Sequence, residues 1–363
     1  MAAWLAPEFR PGLVSVIIPT YNRAELLAEA LASILAQQHD PVEAIVVDDG
    51  SGDRTAEAVA DWQRRFRSER GWELTFLRQE HQGGQRARNL GAGTCRGEFL
   101  NYLDDDDLLT ADKIASQMAV ARETGADIVY GPWVPFIKGP VGCALAAPQC
   151  TKPPRPGRDP FEAWLHGRSW KIMAAIIRRS FADRAGPWAT DLRLAQDLEF
   201  AARCLRHAPK MAYCPQGALL RRDHPHSLSH RSLADFEESL IRFAQIVEEY
   251  ALGSLPAEVA RPALAQYLGR HAISYRLKGS VAAADYFGQR ALAFDPRFVP
   301  TDQGCSTRLA YRLGGFRLWA WKNRTRDRFK RLRRVLGLSR SSYQPVSQLP
   351  LDAWPPRPGG AHG

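Results

Sequence analysis

The chain has 363 residues, of which 45% are hydrophobic and 24% are charged. This composition is ordinary for a globular protein and excludes a wholly disordered or collagen-like chain, and the length suits about two domains. The formal net charge of +10 arises at 301–340, which contains twelve basic and two acidic residues, so no basic field covers the rest of the chain.

The first half of the chain alternates strand-like and helix-like segments. Asn22 is in position to cap the first predicted helix, with Glu25 as its capping-box partner. This alternation predicts an α/β fold of the Rossmann type, in which helices cover a mostly parallel sheet. Short runs rich in β-branched residues predict the buried strands, at 13–18, 42–47, 74–77 and 98–103.

The second half has a different pattern. A strand is predicted at 128–136, an exposed Pro- and Gly-rich loop at 138–160, and helices from 233 to 294. The final residues are rich in Pro and Gly, which predicts disorder. Four parts are therefore expected: an α/β domain at 10–230, a helical C-terminal extension at 231–300, a basic amphipathic segment at 301–340 and a disordered tail at 341–363.

The cysteine pattern and the basic segment bear on location. Six scattered cysteines without a C-x-x-C pair are typical of reduced thiols in a cytoplasmic protein. We find neither a signal peptide nor an apolar run that approaches the roughly 18 residues of a membrane span. Segment 308–340 interleaves positive charge with Phe, Leu and Trp, which favours a helix on the inner face of a membrane over a nucleic-acid site. A helix that packs on the protein's own core fits the same pattern.

Three predicted strands end in polar residues. Residues 19–23 (PTYNR) follow the first strand, 48–51 (DDGS) the second and 104–107 (DDDD) the fourth. Ligands of open parallel sheets bind at the carboxyl ends of the strands, so these segments are expected on one rim. Tyr21 could stack on a planar base there, or simply pack.

The four consecutive aspartates repel one another unless a cation or solvent relieves them. Their oxygens suit Mg²⁺ or Mn²⁺. In an extended segment, Asp104 and Asp106 would point to one side and Asp105 and Asp107 to the other. A solvated acidic turn before a helix is an equally consistent interpretation. The pair at 48–49 likewise fits a helix cap near Asp53 or a ligand contact.

Four motifs resemble the nucleotide-sugar glycosyltransferases of family 2, in the family's order. The resemblance spans about residues 12–230 and implies a GT-A type nucleotide-binding domain. The motifs are VSVIIPTYNR (14–23), VVDDGSGDRT (46–55), ARNLGAGTCRGEFLNYLDDDD (87–107) and AQDLEF (195–200).

The resemblance also implies roles for individual residues. Asp197 matches the catalytic base, although Gln196 replaces the commoner Glu before it. His224, in a segment similar to RxHxxSxS, is a candidate to assist the metal or the diphosphate; a loop histidine with a local hydrogen bond is the alternative. The implied nucleotide-sugar contacts are Pro19, Thr20, Tyr21, Arg23, Asp49, Arg88 and Asp105, and the implied metal ligands are Asp104, Asp106 and His224.

The implied activity is transfer of a sugar from a nucleoside-diphosphate sugar to a hydroxyl of a saccharide or lipid-linked acceptor. Inversion, dependence on Mn²⁺ or Mg²⁺, and a role in surface polysaccharide or glycoconjugate assembly are expected. A dehydrogenase and a P-loop NTPase are excluded, because neither G-x-G-x-x-G after the first strand nor GxxxxGK[ST] is present. A catalytically inactive protein that binds nucleotide-sugar or a membrane surface remains the alternative, and nucleic acid is not expected as a partner.

Overall fold

The computed structural model describes residues 4–5, 9–139, 142–149, 159–167, 170–224, 233–298, 343–346 and 349–352. The predicted basic segment, the whole of 301–340, lies outside the described residues, as does most of 341–363. In chain order the strands and helices are β1 (Arg10–Thr20), α1 (Ala24–Leu35), β2 (Val42–Asp48), α2 (Thr55–Arg70), β3 (Leu74–Arg78), α3 (Gly84–Thr94), β4 (Gly97–Tyr102), β5 (Leu108–Leu109), α4 (Lys113–Thr124), β6 (Ile128–Tyr130), β7 (Trp133–Gly139), β8 (Gly142–Ala146), α5 (Pro160–Leu165), β9 (Ala175–Arg178), α6 (Arg179–Ala185), α7 (Gln196–Arg206), β10 (Met211–Tyr213), β11 (Leu219–Arg222), α8 (Glu237–Ser254), α9 (Ala257–Leu277), α10 (Val281–Phe294) and β12 (Tyr343–Val346).

The main sheet has seven strands within the described residues, in the order β10-β6-β9-β4-β1-β2-β3. All neighbours in it are parallel except β9, which runs antiparallel to β4 and β6. The mixed α/β class and the mostly parallel sheet are therefore confirmed. Because β4, β1 and β2 are adjacent and parallel, their polar carboxyl ends meet on one rim.

Burial of apolar side chains stabilises the main sheet and the helices that cover it. Every residue of β2 is buried, and β1 is buried from Leu13 to its end, which is typical of parallel strands covered on both faces. α3 packs directly on β1 and β2. It can do so because Gly91 faces the sheet: a Cβ there would lie 2.7 Å from Cγ2 of Ile17. Close helix-to-sheet packing thus brings the preceding turn of α3 to the rim.

A second sheet corrects three predictions. It has the order β12-β8-β7-β11-β5 in the described chain. The strand predicted at 128–136 is divided between the two sheets, as β6 and β7. The loop predicted at 138–160 contains β8, which forms a hairpin with β7, and the tail predicted to be disordered contributes β12 antiparallel to β8. The predictions failed because these strands are short and depend on pairing between distant segments rather than on a local apolar pattern.

The helices predicted after 233 are present as α8, α9 and α10. They pack on the α/β part through Trp164 of α5, whose ring stacks on Tyr267 of α9 at 4.8 Å. Tyr250 of α8 donates a hydrogen bond to Glu199 of α7 (2.9 Å). The apolar core is therefore continuous across the two regions. Among the described helices, we find none with the length and apolar character needed to cross a membrane. Cys95, Cys143, Cys204 and Cys214 are free thiols.

Replacing the buried Lys113 with Met is expected to stabilise the protein. Its ammonium donates only to Gln117 Oε1 (3.0 Å) in the described chain, and burial lowers the pKa of Lys113 from 10.5 to about 7. Between those values the unfolded chain binds more protons, so the free energy of unfolding rises with pH. Removing the amine should add about 2 kcal/mol or more at pH 7, after the lost hydrogen bond is discounted.

Urea denaturation at pH 7 and pH 9 measures this effect. The wild-type protein should gain stability between these pH values, and Lys113→Met should gain less. The exposed Lys210→Met is the matched control and should behave as the wild type. A Lys113→Met variant that is no more stable than wild type and keeps the wild-type slope would contradict the prediction.

Candidate functional site

The aspartates after β4 form a tight turn. The backbone N–H of Asp107 donates to the carbonyl of Asp104 (3.1 Å), which closes the turn. Of the two interpretations left open by the sequence, the segment is a turn and not extended, because the chain leaves the main sheet here and β5 joins the second one. Burial nevertheless alternates as expected: Asp105 and Asp107 are buried, whereas Asp104 and Asp106 are partly exposed.

Two elements hold the middle of this turn. Thr20, at the end of β1, donates to Asp105 (2.7 Å). Arg23, at the start of α1, contacts both Asp105 (2.9 Å) and Asp106 (3.0 Å) through one nitrogen. His224 Nε2 lies 3.0 Å from Asp106 Oδ2. The structure thus brings together Thr20 and Arg23 of segment 19–23, Asp105 and Asp106 of segment 104–107, and His224.

The turn carries more negative charge than its partners neutralise. Burial raises the pKa of Asp105 to about 6; Arg23 opposes this rise and the charge of Asp106 adds to it. Burial also holds the pKa of Asp107 well above its usual range, with Asp106 and Asp104 contributing. A cation beside the partly exposed carboxylates would relieve this repulsion.

α3 places a second arginine on the turn. Arg88, one turn before the closely packed Gly91, donates to Asp104 (2.6 Å). Its guanidinium also lies 4.8 Å from the centre of the Trp188 ring. Trp188 in turn stacks on Phe200 of α7 at 4.4 Å. Arg88 therefore connects the aspartate turn to the segment that leads into α7.

The carboxylate of Asp49 is already fully engaged. It accepts hydrogen bonds from the backbone of Gln82 (2.8 Å) and Gly83 (2.9 Å) and from the side chain of Gln79 (2.6 Å). His81 Nδ1 lies 3.0 Å from its second oxygen. Asp49 thus fixes the loop after β3 at the start of α3, a contact that fits a carboxylate near a helix N-terminus.

His81 is a site residue that the sequence analysis missed. Its ring lies 4.2 Å from that of Tyr21, which is 42% exposed. Pro19 and Thr20 lie opposite β2 in the sheet register, at the base of this pair. His81 follows β3, so the rule for strand ends places it on the rim, but only once β3 is known to lie beside β2. Tyr21 and His81 together form an aromatic surface that suits a planar base, and the buried Asp49 contacts His81 beneath it.

The predicted helix caps differ from those in the structure. Asn22 does not cap α1; it has a φ of 51° and its side-chain oxygen accepts from Gly52. Asp53 instead accepts from Ala24 at the start of α1 (3.2 Å) and from Thr55 at the start of α2 (3.0 Å). The caps could not be assigned from local sequence, because Asp53, in the loop after β2, caps α1 as well as α2.

Asp197 lies in the first turn of α7 and is half-buried. Its carboxylate accepts a hydrogen bond from Leu198, and within the described residues none of its hydrogen bonds reaches the aspartate turn. A surface helix residue near Arg193 or Arg203 is the alternative to a catalytic Asp197. Within the described residues Asp197 forms no ion pair with either arginine, and Arg203 pairs with Glu199 (2.8 Å). The segment before Asp197 is tied to α3 through Asn89.

The donor atoms at the turn fit a divalent ion in part. Oδ1 of Asp104 accepts from Arg88 and Oδ2 of Asp106 from Arg23, and the second oxygen of each carboxylate is unengaged within the described chain. The described residues do not contain three or more His, Cys, Asp or Glu side chains grouped so as to hold a metal by themselves. An ion here would take its remaining ligands from a bound molecule and from water.

Comparison with known proteins identifies the domain to which this rim belongs. Residues 15–184 match the family described as Glycosyl transferase family 2. Residues 15–184 are thus similar to glycosyltransferase family 2. The resemblance seen in the sequence motifs is therefore confirmed. Asp197 and His224 lie beyond the matched range.

Relatives of this region are moderately similar. EpsJ of Bacillus subtilis (strain 168), named an uncharacterized glycosyltransferase, is 27% identical over 224 residues, which are 60% of this chain and 63% of EpsJ. The match thus spans less than two thirds of EpsJ. Two solved structures share the fold and confirm the GT-A type.

The first of these is S. aureus TarS (residues 1–349) in complex with UDP-GlcNAc, with a TM-score of 0.58 and 21% identity, covering 77% of this chain and 80% of that one. The second is the mannosyltransferase PcManGT of Pyrobaculum calidifontis in complex with GDP-Man and Mn²⁺, with a TM-score of 0.50 and 19% identity, covering 93% and 87%.

Proposed function

We propose that this protein transfers a sugar from a nucleoside-diphosphate sugar to a hydroxyl group of a saccharide or lipid-linked acceptor. The observation that carries the proposal is the rim itself. Within a region similar to family 2, two partly exposed carboxylates and two arginines adjoin the Tyr21–His81 surface. Aromatic rings suit the base of a nucleotide. Arg23 and Arg88 suit its phosphates, because guanidinium groups form charge-assisted hydrogen bonds with phosphate oxygens.

The reaction is an in-line displacement at the anomeric carbon. The acceptor oxygen forms a bond to that carbon while the bond to the diphosphate oxygen breaks, and the nucleoside diphosphate leaves with the bonding electrons. The acceptor proton passes to the carboxylate of Asp197, acting as general base. Attack from the face opposite the leaving group inverts the configuration. The half-buried carboxylate of Asp197, which forms no ion pair within the described part of the chain, supports this role.

Asp104, Asp106 and His224 would hold a divalent ion, Mn²⁺ or Mg²⁺, together with the diphosphate of the donor. Carboxylate and phosphate oxygens suit these ions. When bound, such an ion stabilises the charge that develops on the departing diphosphate. Arg23 and Arg88 orient the carboxylates of the turn from either side, and Thr20 fixes the buried Asp105 between them.

A thermal-shift panel tests the donor class. UDP- and GDP-linked sugars are the first probes, because the structural neighbours hold UDP-GlcNAc and GDP-Man; dTDP- and CMP-linked sugars complete the panel, each with and without Mn²⁺. One nucleotide should raise Tm, and more so with metal, since ligand at about 100 times its Kd adds about 2.7 kcal/mol. A folded sample that no donor stabilises would contradict the proposal and favour a protein that binds only membrane surfaces.

We further propose a role in assembly of a surface polysaccharide or glycoconjugate, at the inner face of the cytoplasmic membrane. The assembly role rests on the family resemblance alone. The membrane location is supported by 308–340, where basic residues are interleaved with aromatic and aliphatic ones. The full chain should sediment with vesicles containing anionic lipid, and a full-length chain in which the Arg and Lys residues of 308–340 are replaced with Gln, so that β12 is retained, should not. Neutral vesicles are the control. Equal sedimentation of both chains would rule out attachment through this segment.

A further inference from the structure

Arg222, the last residue of β11, contacts the aspartate turn from behind. Its side chain is 7% exposed. Nε donates to the carbonyl of Asp106 (2.9 Å), and the backbone N–H of Arg222 donates to the carboxylate of Asp107 (2.9 Å). One residue therefore holds the turn through both its main chain and its side chain. The function proposed above assigns Arg222 no role.

The same guanidinium reaches a third element. Its Nη2 donates to Glu29 of α1 (3.0 Å), and its centre lies 4.7 Å from that of the Phe136 ring. Lys138 of β7 contacts the same oxygen of Glu29 (3.0 Å), but its side chain is 48% exposed. The guanidinium of Arg222 is buried on the Phe136 ring and loses little conformational freedom when it binds Glu29. The exposed ammonium of Lys138 contributes little to holding Glu29.

The position of His224 follows from this arrangement. His224 is two residues after Arg222, and between them the backbone N–H of Asp223 donates to the carbonyl of Phe136 (2.7 Å). The chain after β11 is thus fixed to β7 and to the turn before it delivers the imidazole to Asp106. Any movement of Arg222 would displace both Asp106, to which its side chain donates, and His224, which follows it in the chain.

We propose that Arg222 and Glu29 form a bracket that positions the aspartate turn and holds His224 against Asp106. The bracket links three elements. These are α1, the helix that follows β1 of the main sheet, β11 of the second sheet, and the aspartate turn between them. Arg222 and Glu29 are positioning residues, since they act through Asp106 and His224. Where the bracket serves the metal and the diphosphate, the inference rests on the proposed function.

Hydrogen exchange of the ligand-free protein tests the bracket independently of the reaction. Arg222→Lys keeps the charge, but one ammonium cannot replace the fork that spans Asp106 and Glu29. Glu29→Gln removes the charge that anchors the fork and serves as a second variant if the first folds poorly. Both should raise the exchange rate of the peptide 103–110 by about tenfold, since hydrogen bonds to charged groups are among the stronger ones.

Two controls separate positioning from general destabilisation. Lys138→Met removes the exposed partner of Glu29 and should leave exchange at 103–110 unchanged. The peptide 14–20 from β1 reports on the whole fold, and its exchange should stay at the wild-type rate in every variant. Unchanged exchange at 103–110 in both bracket variants would overturn the proposal. So would an equal rise in both peptides, since that indicates a structural role alone.

Binding of Mn²⁺ alone provides the second readout. It is measured through the electron paramagnetic resonance signal of the free ion. Arg222→Lys and Glu29→Gln should weaken Mn²⁺ binding roughly 10–100-fold, the usual effect of changing groups that orient metal ligands. Lys138→Met should bind as wild type. If the wild-type protein binds no Mn²⁺, the metal part of the proposed function fails, and the exchange data alone support or overturn the bracket.

Discussion

Asp197→Asn is expected to lower kcat by at least about 100-fold, the usual lower bound for loss of a general base. The amide keeps the size of the carboxylate but cannot take the proton of the acceptor. The Kd of the donor should stay within about twofold of wild type, because the nucleotide site lies on the rim formed by β1, β2 and β4. Initial rates and calorimetric titration with the donor identified by the thermal-shift panel measure the two quantities.

Asp191→Asn is the matched control for this variant. Asp191 lies in the segment that precedes α7, is 58% exposed, and lies 3.7 Å from Arg242 across a surface contact. Its removal should change neither kcat nor donor binding, because exposed ion pairs contribute little. Wild-type kcat in Asp197→Asn would refute the role of Asp197 as base, whereas loss of donor binding would assign it to substrate binding.

The stereochemistry of the product provides a separate test of the same step. With one carboxylate acting as base and no covalent intermediate, each transfer inverts the anomeric centre. Proton NMR of the first product, recorded before the anomers equilibrate, distinguishes the outcomes through the coupling of the anomeric proton. A retained configuration would require a second displacement and would contradict the assignment of Asp197.

The main sheet was predictable because its strands are buried on both faces. Continuous apolar runs such as 42–47 identify such strands without knowledge of their neighbours. The second sheet was not predictable in this way. β8 and β12 are stabilised by pairing between residues about 200 positions apart in the sequence. Local pattern carries no information about such a partner.

The site was predictable to the extent that it follows from strand ends. Thr20 and Arg23 after β1 do meet Asp105 and Asp106 after β4, as the ends of adjacent parallel strands require. The partners of Asp49 were not predictable, because the loop that it holds begins 30 residues later in the sequence. His81 was missed for a simpler reason: a single loop histidine carries no signal until β3 is known to lie beside β2.

Asp106→Ala is expected to abolish the effect of Mn²⁺ on donor binding. The carboxylate is the point at which Arg23 and His224 converge, each 3.0 Å from the same oxygen. Since changes to groups that only orient metal ligands cost roughly 10–100-fold, loss of a ligand itself should weaken Mn²⁺ binding about 100-fold or more. Calorimetric titration of Mn²⁺ and of donor measures this, with Asp61→Ala, an exposed aspartate of α2, as control.

Asp106→Ala should not lower the free energy of unfolding. The charge of Asp106 contributes to the raised pKa of both Asp105 and Asp107, so its removal eases the ionisation of two buried carboxyls. Lost contacts to Arg23 and His224 oppose this gain, and we expect a free energy of unfolding equal to or above that of wild type. A group that serves only the structure would destabilise when removed. Loss of metal binding at undiminished stability would therefore mark Asp106 as a residue retained for function, and Mn²⁺ binding at wild-type affinity would remove it from the site.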